Sequence, residues 1–293
     1  MKISFRGVLA ALALGATAVS AQAADLASIK APAPAPAIDT YQPFQVRLKV
    51  ASVIPTQGTS TIYDSGAYYP GVGSVTRAAG LALGPGSVVP GASTTTSWSV
   101  MPMVDIAYYL NKNWAIEAIC CVTPHHVQGT GVLYGASLAN TWVFPPSVML
   151  QYHFTNFGAF QPYLGVGANF TAFWGTGAGN NNWYLGFNPT SALAGLNGGV
   201  ASFYSTSITP SWGAVGQIGA DYMFNEHWGV NFDVKYIQMQ PNAHANIITT
   251  LPSAPSLGAV YIPVTAAVKI NPIVVSTGLT YRFGNGLVPP VNF

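Results

Sequence analysis

Two adjoining segments between residues 211 and 240 alternate apolar and polar side chains over unusually long runs. The first places Trp212, Ala214, Ile218, Ala220, Tyr222 and Phe224 on one parity, and Gly213, Gln217, Gly219 and Asp221 on the other. The second places Trp228, Val230, Phe232, Val234 and Tyr236 opposite Asn231, Asp233 and Lys235. A period of two gives a strand one apolar and one polar face, and a bilayer crossing needs about nine to eleven such residues. With aromatic residues at the ends of the runs, the pattern predicts neighbouring strands of a transmembrane β-barrel.

The N-terminus carries an export signal. Lys2 and Arg6 precede an apolar run over residues 7–19, and the small residues of 21–23 suit cleavage. This pattern predicts a signal peptide over residues 1–23. The apolar run is too short for a transmembrane helix, and no other stretch of the chain approaches the length that one needs. We therefore expect export without a helical anchor, to the outer membrane of a Gram-negative bacterium.

The composition agrees with a surface that faces lipid. Only 6% of the residues are charged, against about 25% in an average soluble domain. Mean hydropathy is +0.35, although long apolar blocks are lacking after the N-terminus. The net charge of +2 is too small to predict a nucleic-acid or acidic partner. The partners we expect are lipid of the outer membrane and, during insertion, the barrel assembly machinery.

The mature chain divides into a short tether, a barrel and a tail. Residues 24–42 form a Pro/Ala-rich periplasmic segment, residues 43–283 the barrel, and residues 284–293 a C-terminal extension. The predicted strands cover residues 44–53, 98–110, 114–122, 147–154, 162–174, 212–224, 228–236 and 273–283. Long loops over 55–97, 124–144, 175–210 and 241–271 alternate with short turns. We predict an all-β fold, an eight-stranded antiparallel barrel with long external loops and short periplasmic turns. Residues 200–208 and 259–268 also suggest strands, as hairpin extensions above the membrane or as part of a barrel of ten or twelve strands.

Charged residues within the strands share the inward parity, towards the periplasmic side. They are Arg47, Lys49, Asp105, Glu117, Asp221, Asp233, Lys235 and Arg282. A barrel of about eight strands has an interior just wide enough for its own side chains. Unpaired burial of charge is expensive, so we expect these residues to pair as a polar plug. A charge-selective ion path is the alternative.

Nearer the external end, the inward residues become apolar. Met101, Met103, Ile119, Met149, Val215, Ile237 and Val274 are the predicted lining of a hydrophobic channel. Flexible thioethers accommodate varied shapes, which suits the capture of hydrophobic molecules. The same residues are also what a packed barrel core requires, so the lining and the core remain alternatives here.

Prolines interrupt the wall near this apolar region. Pro102 lies within the second predicted strand, Pro124 ends the third, and Pro145 and Pro146 open the fourth. Proline cannot donate to a strand ladder. Pro124, Pro145 and Pro146 therefore predict a lateral gap between the third and fourth strands, unless they only begin loops.

The sequence contains no recognisable catalytic or metal-binding motif. It has no GxSxG, HExxH or P-loop pattern, and we expect neither an enzyme nor a cofactor. Cys120 and Cys121 are neighbours in one strand, so their side chains face opposite sides and cannot converge with His125 and His126 on one metal. We interpret the two thiols as inert.

Several segments resemble the outer membrane protein W family. They are FPPSVMLQYHF, FQPYLGVGANFTAFW, SWGAVGQIGADYMFNEHWGVNFDVKY and the closing LTYRF, and the likeness covers most of residues 43–283. The resemblance implies an eight-stranded barrel with a hydrophobic channel for small hydrophobic compounds. Related alkane-uptake proteins imply sideways release of the cargo through the wall.

Two hypotheses of function follow. In the first, the barrel admits small apolar molecules passively and releases them into the outer leaflet. In the second, the barrel is an anchor, and its long aromatic loops act as an adhesin or receptor for external partners.

Overall fold

A computed structural model describes the greater part of the chain. The described residues are 41–56, 59–66, 68–69, 73–74, 85–179, 183–184, 198–250, 252, 258–285 and 289–291. The predicted signal peptide and nearly all of the Pro/Ala-rich segment lie outside these ranges.

Within the described ranges the chain forms eighteen strands and one short helical turn. The first nine are β1 (Phe44–Ile54), β2 (Thr59–Asp64), β3 (Tyr68–Tyr69), β4 (Gly73–Ser74), β5 (Ala92–Thr96), β6 (Ser99–Tyr109), β7 (Trp114–Cys120), β8 (Thr123–Gly131) and β9 (Ser137–Phe144). The others are β10 (Ser147–His153), β11 (Phe160–Ala178), β12 (Trp183–Tyr184), β13 (Val200–Ile208), β14 (Ser211–Met223), β15 (Trp228–Ile237), β16 (Asn242–Thr250), β17 (Ala259–Lys269) and β18 (Ile273–Phe283). The 3₁₀ turn is Thr155–Phe157, and no helix in the described residues is long and apolar enough to cross a membrane.

Eight of these strands close an antiparallel barrel. The order is β1, β6, β7, β10, β11, β14, β15 and β18, and β18 pairs again with β1 from Phe44↔Phe283 to Ile54↔Ile273. Buried and exposed residues alternate along these strands, and in β7 Ala115, Glu117 and Ile119 are buried whereas their sequence neighbours are exposed. The predicted eight-stranded fold is confirmed. The ten- or twelve-stranded alternative is wrong because β18 pairs with β1, so the eight strands leave no unpaired edge for a further strand. Most predicted strand ends are correct within two residues, but β11 is longer at both ends.

The wall continues above the barrel where long loops were predicted. This upper wall consists of β2, β5, β8, β9, β13, β16 and β17, together with residues 172–178 at the end of β11. The predicted extensions at 200–208 and 259–268 are correct, as β13 and β17. The loop prediction is wrong for β2, β5, β8, β9 and β16. Their outward residues are polar, for example His126, Gln128 and Asn140, because that face meets water rather than lipid. These strands were not predicted because their outward residues are polar, whereas the pattern of a membrane strand requires apolar residues on the outward face.

Prolines mark the boundary between the barrel and the upper wall. Pro55, Pro145, Pro146, Pro210, Pro241 and Pro272 lie between a barrel strand and its continuation, and Pro124 is the second residue of β8. Proline removes a ladder donor and fixes φ, so strand pairing pauses at this level. Trp98, Trp142, Trp174 and Trp212 are exposed near the same boundary, as expected at a membrane interface. Above Thr171↔Ser211, β11 and β13 share no ladder pair among the described residues.

Closure of the barrel depends on a close approach of backbone at Gly278. A Cβ atom at this position would lie 2.1 Å from the carbonyl oxygen of Leu48 and 2.5 Å from the Cα of Lys49. We expect Gly278→Ala to force β18 away from β1 and to cost about 1–3 kcal/mol of unfolding free energy. Urea unfolding in lipid vesicles measures this cost. The control is Gly216→Ala on β14, where nothing lies within 4 Å of the added atom. Equal stability of the two variants would contradict the prediction.

Candidate functional site

The lower layer of the barrel interior is a set of four charges. Arg47 binds Glu117, and its Nη2 lies 2.8 Å from Oδ2 of Asp221. Nη2 of Arg282 lies 3.2 Å from the same Asp221 oxygen. Two positive and two negative groups therefore balance, and all four side chains are buried.

A second balanced layer lies above the first. Lys49 binds Asp105 and approaches Asp233 at 3.0 Å, while Lys235 binds Asp233 and lies 3.7 Å from Asp105. The ammonium of Lys235 also lies 3.9 Å from Glu117, which joins the two layers. The structure thus brings together all eight charges singled out in the sequence, and we call them the polar plug.

Uncharged side chains that the sequence analysis missed complete the polar plug. Nε2 of Gln217 donates to Asp233 at 2.6 Å and to Glu117 at 3.2 Å. Asn231 and Gln45 donate to Asp221 at 2.8 Å and 3.2 Å. These residues share the inward parity of the charges, so extending the parity argument from charges to amides would have found them. Glu117, Asp221 and Asp233 therefore accept hydrogen bonds from amide side chains as well as forming ion pairs, which is the condition under which buried charge is tolerated. Asp105 forms ion pairs with Lys49 and Lys235 but accepts no hydrogen bond within the described residues.

The residues predicted to line a channel form one apolar cluster above the polar plug. Met101, Met103, Ile119, Met149, Val215, Ile237 and Val274 are all buried there, with Ala51, Val53, Cys121, Val143 and Met239. A cavity of about 180 Å³ opens directly above, and five of the seven residues border it. Met149 and Val215 belong to the cluster without bordering the cavity. Both alternatives therefore hold in part, because the same residues pack the core and line an internal space.

The apolar cavity extends from the polar plug into the upper wall. Lys235 is part of its floor, and Ile62, Leu133, Phe203, Ile262 and Val264 border its upper part. Trp183 also borders it, whereas Tyr184 and Tyr204 are exposed. At the short-turn end of the barrel, Arg282 borders a separate polar recess with Tyr41 and Gln161. The polar plug therefore lies between the cavity and that recess.

His125 is a buried polar group in the cavity wall. Its Nδ1 lies 2.8 Å from the carbonyl oxygen of Ser97, and its Nε2 lies 3.0 Å from Oγ1 of Thr123. Since a carbonyl can only accept, Nδ1 carries the proton and the Thr123 hydroxyl donates to Nε2. Burial lowers the pKa of His125, which favours the neutral ring. Both nitrogens are thus used within the wall.

The ladder pauses near Pro124, Pro145 and Pro146, but only briefly. Pairing of β7 with β10 ends at Ile119↔Ser147, and β8 with β9 resumes at Thr123↔Val143 in the same register. The carbonyl of Pro146 still accepts from the amide of Phe170 at 3.0 Å. The fourth strand therefore stays bound to the fifth across this level.

A longer interruption lies on the other side of the third strand. Pairing of β6 with β7 ends at Val104↔Cys120, and the next pair, Thr96↔Val127, belongs to β5 and β8. Pro102 and Pro124 lie on the two sides of this interval. Across it, the amide of Ser97 donates to the carbonyl of His126 at 3.0 Å. The sequence placed the weak part of the wall between the third and fourth strands, whereas the longer break is between the second and third.

The two cysteines lie on opposite faces, with Cys120 exposed and Cys121 buried.

The carboxylates of Asp105, Glu117 and Asp233 offer oxygens within 4.8 Å of one another. The ammonium groups of Lys49 and Lys235 already neutralise this trio, so it does not have the character of a cation site.

Comparisons with known proteins agree with this architecture. The model of the OmpW family matches residues 43–283. An uncharacterized outer-membrane protein, y4mB, of Sinorhizobium fredii is 35% identical over 213 residues, covering 73% of this chain and 77% of the relative. Outer membrane protein W of Escherichia coli is 29% identical over 68% of this chain and 86% of its own length. The crystal structure of OprG from Pseudomonas aeruginosa superposes with a TM-score of 0.55 at 25% identity, covering 83% of this chain and 97% of OprG.

Removing one partner from the polar plug is expected to destabilise the barrel strongly. Asp233→Ala leaves the ammonium groups of Lys49 and Lys235 buried with less compensation, and we expect a loss of about 3–5 kcal/mol of unfolding free energy. Urea unfolding in vesicles measures it, with Glu226→Ala in an exposed turn as the charge-matched control. In planar bilayers the wild type should conduct ions poorly, and Asp233→Ala should conduct more. A large, steady wild-type conductance would mean that the lumen is an open aqueous pore.

Proposed function

The chain belongs to the OmpW family of outer-membrane proteins, and on that premise we propose that it is a passive channel for small hydrophobic molecules. Cargo enters the apolar cavity from outside and leaves sideways into the outer leaflet. The observation that carries the proposal is an apolar cavity that ends on an ion-paired polar plug.

The cavity supports capture of a small apolar molecule. Its volume of about 180 Å³ exceeds the roughly 150 Å³ of an apolar protein cavity that takes up benzene. Met101, Met103 and Met239 border it, and thioether side chains adapt to different shapes. Burial of apolar surface is then the force that draws cargo from water.

The polar plug argues against a straight path to the periplasm. An apolar solute on that route would have to separate paired charges and displace their hydrogen bonds without offering replacements. The interrupted ladder between β6 and β7–β8 is the alternative exit. Val100, Pro102 and Val122 are exposed on its outer side, where an apolar solute would meet lipid. We therefore place the exit between the second and third strands.

The proposal makes the protein a conduit and not an enzyme. His125, the buried histidine of the cavity wall, uses both ring nitrogens in bonds to Ser97 and Thr123. That arrangement helps to hold the wall together and leaves His125 without a free nitrogen to act as a base on the cargo. Partners are the surrounding lipid, the hydrophobic solutes and, during insertion, the barrel assembly machinery.

Uptake of naphthalene by cells with and without the protein tests the proposed channel. We expect faster entry when the protein is present, and equal rates would refute a transport role. Two engineered disulfides locate the exit, both in a Cys120→Ser, Cys121→Ser background. Val122→Cys with Pro102→Cys bridges the second and third strands, and Val122→Cys with Phe144→Cys bridges the third and fourth.

We expect the first bridge to block uptake until a reductant is added, and the second to leave it nearly unchanged. Because the two bridges share position 122, each controls for the other. Blockage by the second bridge alone would move the exit to the third and fourth strands. Free uptake in both variants, each with its own bridge fully formed, would exclude release at either seam.

A receptor or adhesin role is the second candidate. It is favoured by tyrosines that project outward from the upper region, namely Tyr134, Tyr184 and Tyr204, which are 82%, 76% and 51% exposed. Replacing all three with Ser should abolish attachment to a host-cell or phage surface if they form a receptor patch. A channel keeps its uptake in the same variant, because none of the three borders the cavity.

A further inference from the structure

The ladders above and below the interruption between the second and third strands differ in register by one residue. The lower ladder ends at Val104↔Cys120, and the upper one begins at Thr96↔Val127. From 96 to 104 the chain through β5 and β6 advances by eight positions, whereas from 120 to 127 the chain through β7 and β8 advances by seven. The chain through β5 and β6 therefore carries one extra residue, as in a β-bulge.

The parity of the side chains places the extra residue at Ser97 and Trp98. In β5 Thr94 is buried and Thr95 is exposed, so the even-numbered residues face inward. In β6 Met101 is buried and Pro102 is exposed, so the odd-numbered residues face inward. The chain through β7 and β8 keeps its odd-numbered residues inside across the same level. Ser97 and Trp98 are the two residues between β5 and β6, so the change of parity occurs there.

The difference in register prevents the two ladders from joining. Extending the lower ladder upward would pair Ser99 with His125, whereas extending the upper ladder downward would pair Ser99 with Pro124. A shift of one residue exchanges the two faces of a strand. Neither ladder can therefore continue past the bulge without turning inward residues outward.

The seam between the third and fourth strands lacks this feature. Its ladders on the two sides of the prolines, Ile119↔Ser147 and Thr123↔Val143, share one register. Joining them would change no face, so the pause at that seam rests on the missing amide donors of the prolines. The shifted register thus distinguishes the seam between the second and third strands.

Side chains of Ser97 and His125 supply hydrogen bonds at the bulge. At a regular pair, the amide of Ser97 would donate to the carbonyl of His126, and the amide of His126 would donate to the carbonyl of Ser97. The first of these bonds forms at 3.0 Å. In place of the second, the amide of His126 donates to Oγ of Ser97 at 3.0 Å, and the carbonyl of Ser97 accepts from Nδ1 of His125 at 2.8 Å. The backbone groups at the bulge are therefore paired while the two chains diverge.

Below the bulge, an interval of the wall without ladder pairs joins the cavity to the lipid side. It lies between residues 99–103 and residues 121–125, and we call it the wall window. Its inner residues border the cavity, namely Met101, Met103 and Cys121. Its outer residues are exposed, namely Val100, Pro102 and Val122.

We propose that the bulge at Ser97 and Trp98 keeps the wall window unpaired, and that Ser97, supported by His125, is a positioning residue for release of the cargo. The inference rests on the proposed channel and names the feature that holds its exit. The number of residues sets the register, and the side-chain bonds of Ser97 and His125 reduce the cost of breaking the ladder. Ser97 acts through the backbone of the wall and not on the cargo.

Deletion of Trp98 tests the inference because it removes the extra residue. Inward and outward residues then alternate without a break from Thr94 to Met103, and the two ladders share one register. We expect uptake of naphthalene to slow about 10-fold or more, because release must then break the added ladder bonds. Binding of naphthalene to the variant in lipid nanodiscs should stay unchanged, which separates slower release from a damaged cavity. Trp98→Ala is the matched control, since it loses the same indole but keeps the bulge and should keep its uptake.

Hydrogen exchange of the amides in the wall window measures strand pairing directly. We expect residues 99–103 and 121–125 to gain protection in the deletion variant and not in Trp98→Ala. If the deletion variant does not insert into the membrane, Ser97→Ala takes its place. Without Oγ of Ser97, the amide of His126 turns to the carbonyl of residue 97 and forms the regular pair, so uptake slows while binding is kept. Ser97→Thr retains the hydroxyl and should restore uptake.

Three results would overturn the inference. They are wild-type uptake by a deletion variant whose window amides are protected, equal exchange of these amides in the deletion variant and in Trp98→Ala, and equal uptake by Ser97→Ala and Ser97→Thr. If the wild type itself takes up no naphthalene, the proposed channel fails. The exchange comparison still decides in that case whether the bulge keeps the wall unpaired.

Discussion

The ion pairing inside the barrel is the interaction on which the rest of the structure depends. Eight charged side chains would each be costly in a lumen surrounded by lipid, and they are tolerated because they neutralise one another in two stacked layers. The same pairing fills the narrow interior of an eight-stranded barrel. It separates an apolar cavity above from a polar recess below.

The wall around this lumen has a lower and an upper part with different outer surfaces. The lower strands expose apolar residues to lipid, as Leu48, Ile218 and Phe232 do, whereas the upper strands expose polar ones such as His126 and Asn140. Prolines lie between the lower and the upper part of the wall, and they end ladder bonds at the level where the cavity begins. The interruption of the ladder and the apolar cavity therefore lie at the same height in the wall.

The cavity is apolar without being uniform. Methionines supply an adaptable floor, while threonines and a neutral histidine introduce polar atoms into the wall. His125 bonds to Ser97 and Thr123, and Thr141 bonds to Thr176, so these polar atoms are satisfied within the wall.

The sequence by itself determined the barrel and the nature of its interior. Period-two alternation identifies every membrane strand, and parity assigns Arg47, Asp105 and Asp233 inward, because the faces of a strand are a local property. It did not identify strands such as β8 and β16, whose outer faces meet water and lack the apolar signal. The sequence also does not determine which charged residues form ion pairs, since Arg47 contacts Glu117 and Asp221, which are 70 and 174 positions away. Which prolines interrupt the wall depends on register and closure, and these arise only when distant strands meet around one axis.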